Sequence, residues 1–416
     1  MSRILITANT VLPISSPPIK ECTLLVGDGK IKEIGGKTDL KKRYPRITNI
    51  ELGSGLLLPG FVNAHAHLEL GWITKRMGNF NGFIGWLEQI IRAKKTDPTR
   101  GEIETSTRNG VKSLIANGVT TVGEVSSYGG TDKPILKKSG LRTVLFKELF
   151  DRDQDFLKNA RFEQEELFEE RPFPHAPYSC SPNFLKQLTR FQGKTEIPSA
   201  IHLAESPDEV NFLRGYKNGF EQRIFPLIEK ENFRRIKADS PFQYLMKLKF
   251  FYKRKVTAVH MVHVRPAEIK EIKKNEIGVV LCPRSNYFLK VGVPPIKHYS
   301  ELDRIGIGTD GLSSNLNFNF FEELRFFYLI ANQIAARDAA FFTVYAATLG
   351  GAKSIFLDHK IGSIEKGKDA DLIFLDPSND YTDPYLSVIS STEKDLKLSM
   401  VRGKVIYSTK KVWKGI

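Results

Sequence analysis

Short apolar runs of β character alternate with stretches of helical period through the middle of this chain, and that alternation predicts βα units with parallel strands. Eight runs qualify, at 61–67, 120–125, 142–150, 173–176, 199–205, 256–263, 277–282 and 304–310. Eight strands with intervening helices, over about 290 residues, match the size of a (β/α)8 barrel, an α/β fold of the TIM type. The fourth run is the weakest, because Pro172, Pro174 and Pro177 crowd it and proline removes ladder donors.

The two ends of the chain read differently. Residues 1 to 57 alternate in the β manner, as at Ile4 and Ile6 or Thr23 and Leu25, with Gly27-Asp28-Gly29 and Gly35-Gly36 as turn signals. Residues from 360 onward do the same in 371–375 and 398–407. The simplest assembly joins both ends in one small β-sandwich, so the expected domains are 1–57 plus 360–416 and a barrel over 58–359. The longest gap between predicted strands is 206–255, where Pro207 opens a helix with Asp208 and Glu209 in its first turn. That connection is either a wall or lid over a site or an ordinary surface insertion.

Composition narrows the class. Of 416 residues, 41% are hydrophobic and 26% charged, as in an ordinary globular protein, and no apolar run reaches the length of a membrane span. The start, Met1 to Thr7, reads as a strand and not as a secretory signal, so a cytoplasmic location is expected, with no membrane partner. Cys22, Cys180 and Cys282 are too few and too scattered for a disulfide framework. The net charge of +15 is spread along the chain without a dense basic arm, which favours a solvated surface over nucleic-acid binding. A weaker alternative is that the positive potential attracts an anionic small substrate.

Candidate chemistry gathers at the carboxyl ends of the predicted strands, where barrel enzymes build their sites. His65 and His67 stand two apart, so both imidazoles project from one face of the first strand. The fifth strand ends in His202 and Glu205, the sixth in His260 and His263, and the eighth in Asp310. Singly, each has a plain structural explanation, such as a buried histidine bonded to backbone or an aspartate opening a turn. Together, three neutral imidazoles and a carboxylate suit a divalent first-row metal and leave a position for water. The metal lowers the pKa of that water, Asp310 or His260 takes its proton, and Glu205 is placed to protonate a substrate nitrogen or leaving group.

At this point the chain resembles the amidohydrolase superfamily, specifically its mononuclear-metal aminohydrolases of purine-like heterocycles. The resemblance rests on Pro59 to His67, Pro174-His175-Ala176-Pro177-Tyr178-Ser179, His202-Leu203-Ala204-Glu205-Ser206, Cys282-Pro283-Arg284-Ser285-Asn286, Gly308-Thr309-Asp310 and 361–372. It implies His65, His67, His202 and Asp310 as metal ligands, Glu205 as proton shuttle, and His260 as a partner of the attacking water. It further implies a substrate contact at His175 and one metal ion, not two, with zinc preferred and iron the alternative. His263 is out of phase with His260 and is expected to be structural.

The wording of the motifs looks most like the group containing aminodeoxyfutalosine deaminases of menaquinone biosynthesis, which shades into chlorohydrolase-like proteins. The implied reaction is loss of ammonia from an aminopurine derivative. The alternatives are hydrolysis of a cyclic amide or carbon–halogen bond, or a catalytically silent scaffold. Arg284 is a candidate for a substrate carboxylate or for a salt bridge with a nearby acid. Trp86 resembles a tryptophan that relatives follow, nine residues later, with a ribose-binding glutamate, but that position here is Lys95. Either another acid such as Glu88 meets the sugar or the substrate has no ribose diol. Glu148 is a further acid near the third strand end, read as a substrate contact or a structural salt bridge. A homodimer is expected only by family analogy.

Overall fold

Five strands pair before the barrel begins: β1 (Ile4–Val11), β2 (Ile19–Gly27), β3 (Lys30–Gly36), β4 (Thr48–Glu51) and β5 (Leu56–Pro59). The computed structural model describes residues 3–229, 236–334, 338–379 and 381–409. β2 and β3 form a hairpin whose turn residues, Asp28 and Gly29, sit at φ 54° and 76°, the left-handed pair that a tight two-residue turn requires. This is the turn that Gly27-Asp28-Gly29 announces.

The barrel strands follow as β6 (Phe61–His67), β7 (Val119–Ser126), β8 (Arg142–Leu149), β9 (Phe168–Pro174), β10 (Ser199–Leu203), β11 (Val256–His260), β12 (Gly278–Leu281) and β13 (Ile305–Ile307). A two-residue strand, β14 (Asp310–Gly311), pairs with the end of β6. Adjacent barrel strands are parallel, in the order β10-β11-β12-β13-β6-β7-β8-β9. Strands such as β6 and β7 are buried at every residue, as expected of parallel strands packed between a barrel interior and an outer layer of helices. Val62, Val125, Val144, Phe146, Phe173, Ala200, Val259 and Val280 belong to a core cluster contributed by seven of the strands. All eight predicted strands are present.

The fourth strand begins five residues earlier than the 173–176 expected, and its prolines explain the seam of the barrel. The His175 amide donates to Leu149 of β8, so in this strand the odd-numbered amides face β8 and the even-numbered ones face the other way. Pro172 and Pro174 therefore lack their donors on the edge toward β10. There the ring is joined by the His202 amide donating to the His175 carbonyl at 3.0 Å.

Three other strands end two or three residues short of their predicted limits of 205, 263 and 310, and β8 and β12 end one residue short of theirs. The chain leaves the extended region at Ala204 (φ 55°), His260 (φ 74°), Met261 (φ 47°) and Asp310 (φ 58°). Left-handed backbone at non-glycine residues is strained by about 1–3 kcal/mol each and clusters at functional sites.

The chain ends in β15 (Leu372–Leu375), β16 (Leu396–Val401) and β17 (Lys404–Ser408). β15 pairs antiparallel with β5, so both ends of the chain share one sheet, ordered β17-β16-β15-β5-β1-β2-β3. The two layers of the expected sandwich are the two ends of this single rolled sheet. It curls far enough that a Cβ on Gly403, in the β16–β17 turn, would lie 3.1 Å from Val26 of β2. Ile6, Leu24, Leu57, Phe374, Leu398 and Met400 are buried together in its core.

Arg142, fully buried at the start of β8, bonds Asp371 at 2.9 Å and Asp369 at 2.8 Å and so ties barrel to sheet. Nearby in the chain of β9, Arg171 bonds Glu169 at 2.7 Å, and Lys360 reaches the same carboxylate at 2.6 Å. The three cysteines are buried and unpaired with one another. Among the described residues, no helix is long and apolar enough to cross a membrane.

Candidate metal centre

β6 presents His65 and His67 toward the same space, as its two-residue period requires, and β10 and β14 bring His202 and Asp310 to meet them. The Nε2 atom of His65 lies 3.4 Å from that of His202. Asp310 Oδ1 lies 3.6 Å from the Nε2 atoms of both His65 and His67. Donors bound tetrahedrally at about 2.1 Å from one ion stand about 3.4 Å apart, so these separations suit a divalent first-row metal. His65, His67 and Asp310 form one compact group of donors and His65, His202 and His260 another, with His65 common to both. Gly308 allows the close approach of the eighth strand to the first, since a Cβ there would sit 2.7 Å from the His65 carbonyl.

Electrostatics prepare the donors. Burial holds the His67 imidazole down to about 3, assisted by the neighbouring His65, and pushes His202 well below the usual histidine range. Both are therefore neutral ligands at physiological pH. Burial pushes the Asp310 carboxyl up, but His65, His260 and His67 outweigh it and hold the group well below the ordinary carboxylate range. Ser285 and Ser314 donate to Asp310 Oδ2 at 2.6 and 2.8 Å, which fixes the carboxylate and leaves Oδ1 for the imidazoles.

Beside this cluster stand an acid and a base partner. Glu205 is buried, and burial together with the charges of Asp310 and Glu209 raises its carboxyl well above the usual range, which favours its protonated form. His260 Nε2 lies 3.5 Å from Glu205 Oε1, while its Nδ1 lies 3.0 Å from Asn286 Oδ1. That bond makes Nδ1 the protonated nitrogen and leaves Nε2 as an acceptor. Burial holds the imidazole down to about 4. His263 instead donates from Nε2 to the Val291 carbonyl at 2.8 Å, in the structural role expected of it.

The cavity above these groups is lined by His67, His202, Glu205, His260 and Asp310 on one side, and by Trp86, Lys94, Glu148, His175 and Tyr178 on the other. It holds about 60 Å³. Sites for drug-sized ligands hold about 300–1,000 Å³, so this cavity is small and closed by comparison. One wall is the helix Gly82–Lys94. The 206–255 connection packs behind it: Arg223 pairs with Glu88, and Lys95 Nζ donates to the Leu227 carbonyl at 2.8 Å. The Pro207–Arg214 helix expected at its start is present and capped by Ser206. The connection is thus an outer wall, and none of its described residues from Pro207 onward is among those lining the cavity.

Arg284 is not brought to the cavity. Its guanidinium bonds Glu322 at 2.8 Å and Asn317 at 3.0 Å and lies 3.7 Å from Glu323, so its charge is spent on neighbouring acids. Trp86 lines the cavity and anchors its indole on the Ser313 carbonyl at 2.9 Å. Glu148 and His175 line it too, 3.8 Å from each other. Lys94 and Tyr178 are lining residues that sequence reasoning passed over. Lys94 had a usable signal: it lies four residues beyond Ile90 and eight beyond Trp86, on the same helix face. Lys95, one position on, points away.

Fold and site together define a barrel hydrolase whose strand ends converge on a metal-competent donor set. The sequence profile of the Amidohydrolase family matches residues 56–406, and the chain belongs to that family. It is accordingly a hydrolytic enzyme acting on carbon–nitrogen bonds. The chain is 30% identical to the 5′-deoxyadenosine deaminase of Methanobrevibacter smithii, over 92% of this chain and 88% of that one. It is 28% identical to the 5-methylthioadenosine/S-adenosylhomocysteine deaminase of Moorella thermoacetica, over 98% and 94%. Its fold matches a zinc-bound adenosine deaminase from Xanthomonas campestris with a TM-score of 0.81, at 24% identity over 97% and 92% of the two chains.

Proposed function

We propose that this protein is a metal-dependent deaminase of 5′-modified adenosines, exchanging the 6-amino group of the purine for oxygen and releasing ammonia. The class includes 5′-deoxyadenosine, methylthioadenosine, S-adenosylhomocysteine and 6-aminodeoxyfutalosine. His65, His67, His202 and Asp310 would hold one divalent cation, with zinc preferred because a zinc-bound relative shares the fold, and with iron as the other ion that imidazole suits. Such a cation supplies the positive charge that lowers the pKa of a water molecule toward neutrality.

The side chains then divide the proton traffic. Asp310, ionised and braced by two serines, takes a proton from the attacking water. Glu205, protonated, gives its proton to the ring nitrogen N1, which makes C6 more electrophilic. His260 presents an acceptor nitrogen beside Glu205 and orients both that carboxyl and the water. As the carbon–nitrogen bond breaks, the proton on Asp310 passes to the amino group, which leaves as ammonia. Glu205 recovers a proton from the new hydroxyl as the carbonyl forms.

One observation carries this reading. A buried carboxyl whose protonated form is favoured stands 3.5 Å from a fixed imidazole, beside two donor groups that share His65. Metal-loaded protein is expected to release ammonia from at least one of the four nucleosides. Silence across that panel, or release of halide or opening of a cyclic amide instead, overturns the deaminase assignment.

A further inference from the structure

Three carboxylates line the cavity: Glu205, Asp310 and Glu148. The first two belong to the proton traffic already described. Glu148 ends β8 on the opposite wall, with its side chain only 4% exposed. Lys94 Nζ and His175 Nε2 each lie 3.8 Å from its oxygens. Both separations exceed a hydrogen bond, so neither side chain closes the carboxylate to a further donor. Burial pushes Glu148 up, but Lys94, His175, His67 and a hydrogen bond from Ser127 outweigh it and hold the carboxyl down to about 2.

The helix Gly82–Lys94 that walls the cavity offers no free acid. Glu88 is paired with Arg223. The helix position nine residues beyond Trp86 is Lys95, and its ammonium is turned to the Leu227 carbonyl. A ribonucleoside nevertheless brings two vicinal hydroxyls that need an acceptor once they leave water.

We infer that Glu148, positioned by Lys94 and His175, accepts the 2′- and 3′-hydroxyls of the substrate's ribose and determines specificity for it. A carboxylate offers two oxygens to a vicinal diol, and hydrogen bonds to an ionised acceptor are the stronger kind. The inference rests on the deaminase reading, and a diol-lacking substrate separates the two.

The test compares kcat/KM for 5′-deoxyadenosine and 2′,3′,5′-trideoxyadenosine in the metal-loaded wild type, Glu148→Gln and Glu148→Asp. The wild type is expected to favour the diol by about 10- to 100-fold. In Glu148→Gln that ratio falls to within about threefold, chiefly through KM, and Glu148→Asp recovers part of it. Metal content and thermal unfolding of each variant serve as controls. A wild type that deaminates both nucleosides equally overturns the inference and leaves the deaminase reading standing. So does a folded Glu148→Gln that keeps the wild-type ratio. If 5′-deoxyadenosine is not turned over, the same comparison is made with whichever nucleoside of the panel is and its 2′,3′-dideoxy analogue; absence of ammonia from the whole panel overturns the deaminase reading and the inference with it.

Discussion

Two clusters of buried polar groups in this molecule are arranged on opposite principles. Where the barrel meets the terminal sheet, Arg142 is closed off by Asp369 and Asp371, and each charge has an opposite charge within 3 Å. At the strand ends, Asp310 lies 3.6 Å from His65 and from His67, and His202 lies 3.4 Å from His65, with no lysine or arginine among them. Glu205 is biased toward a proton it would surrender in water. The first arrangement answers its own electrostatic demands and holds the fold. The second leaves them open and so has something to offer a ligand.

If that contrast is right, substitutions at the two places separate activity from stability. The largest effect is expected at Asp310→Asn or His202→Ala, with loss of bound metal and a fall in activity on the order of 10³-fold or more, read by metal quantification and ammonia release. Next is Glu205→Gln, which keeps its metal and loses about 10²- to 10⁴-fold in kcat. A Glu205→Gln protein that has also lost its metal would merge the two roles assigned here.

Arg142→Met tests the other side. It leaves the buried Asp371 without its cation, while Asp369 keeps Lys30 at 3.0 Å, and is expected to lower unfolding free energy by about 3–5 kcal/mol in urea titrations. Its kcat at 25 °C stays within about twofold of wild type. A large fall in kcat with unchanged stability would erase the distinction between the two regions.

Acid provides a milder probe of the paired charges. Burial pushes the Glu169 carboxyl up, but Arg171 and Lys360 outweigh it and hold it down to about 2, against an ordinary 4.5. Since the folded value is depressed, the stabilisation is present above pH 4.5 and is lost as pH falls toward 2. It amounts to up to about 3 kcal/mol, and Glu169→Gln is expected to flatten the stability profile across that window. The smallest effect is expected at Lys95→Ala, whose ammonium faces the outer connection, with KM changed by less than about threefold.

Much of this was legible in the sequence, because periodicity and strand ends follow from local chemistry. β6 runs from Phe61 to His67 as its alternation implies, and His65, His67, His202, Glu205, His260 and Asp310 meet in one place. What was not legible depends on partners far along the chain or on single dihedral angles. The left-handed turns at Ala204, His260 and Asp310 shorten three strands, and nothing in the identity of these residues demands them. Arg284 is claimed by Glu322 and Glu323, almost forty residues away, across a packing that no local pattern reports. Lys94 and Lys95 differ by about 100° of helix phase, and only the packed helix tells which one meets the cavity.

The pairing of β5 with β15 also governs how the chain is made. Residues 56–59 leave the ribosome early, whereas their partner, 372–375, is synthesised some three hundred residues later. Until then one edge of an apolar, four-residue strand stands open, beside a barrel that is itself growing strand by strand. Synthesis at about 5–20 residues per second leaves that edge bare for tens of seconds, a window in which a chaperone or a second nascent chain competes for it. β15, β16 and β17 are therefore the closure of a sheet that β1 to β5 began.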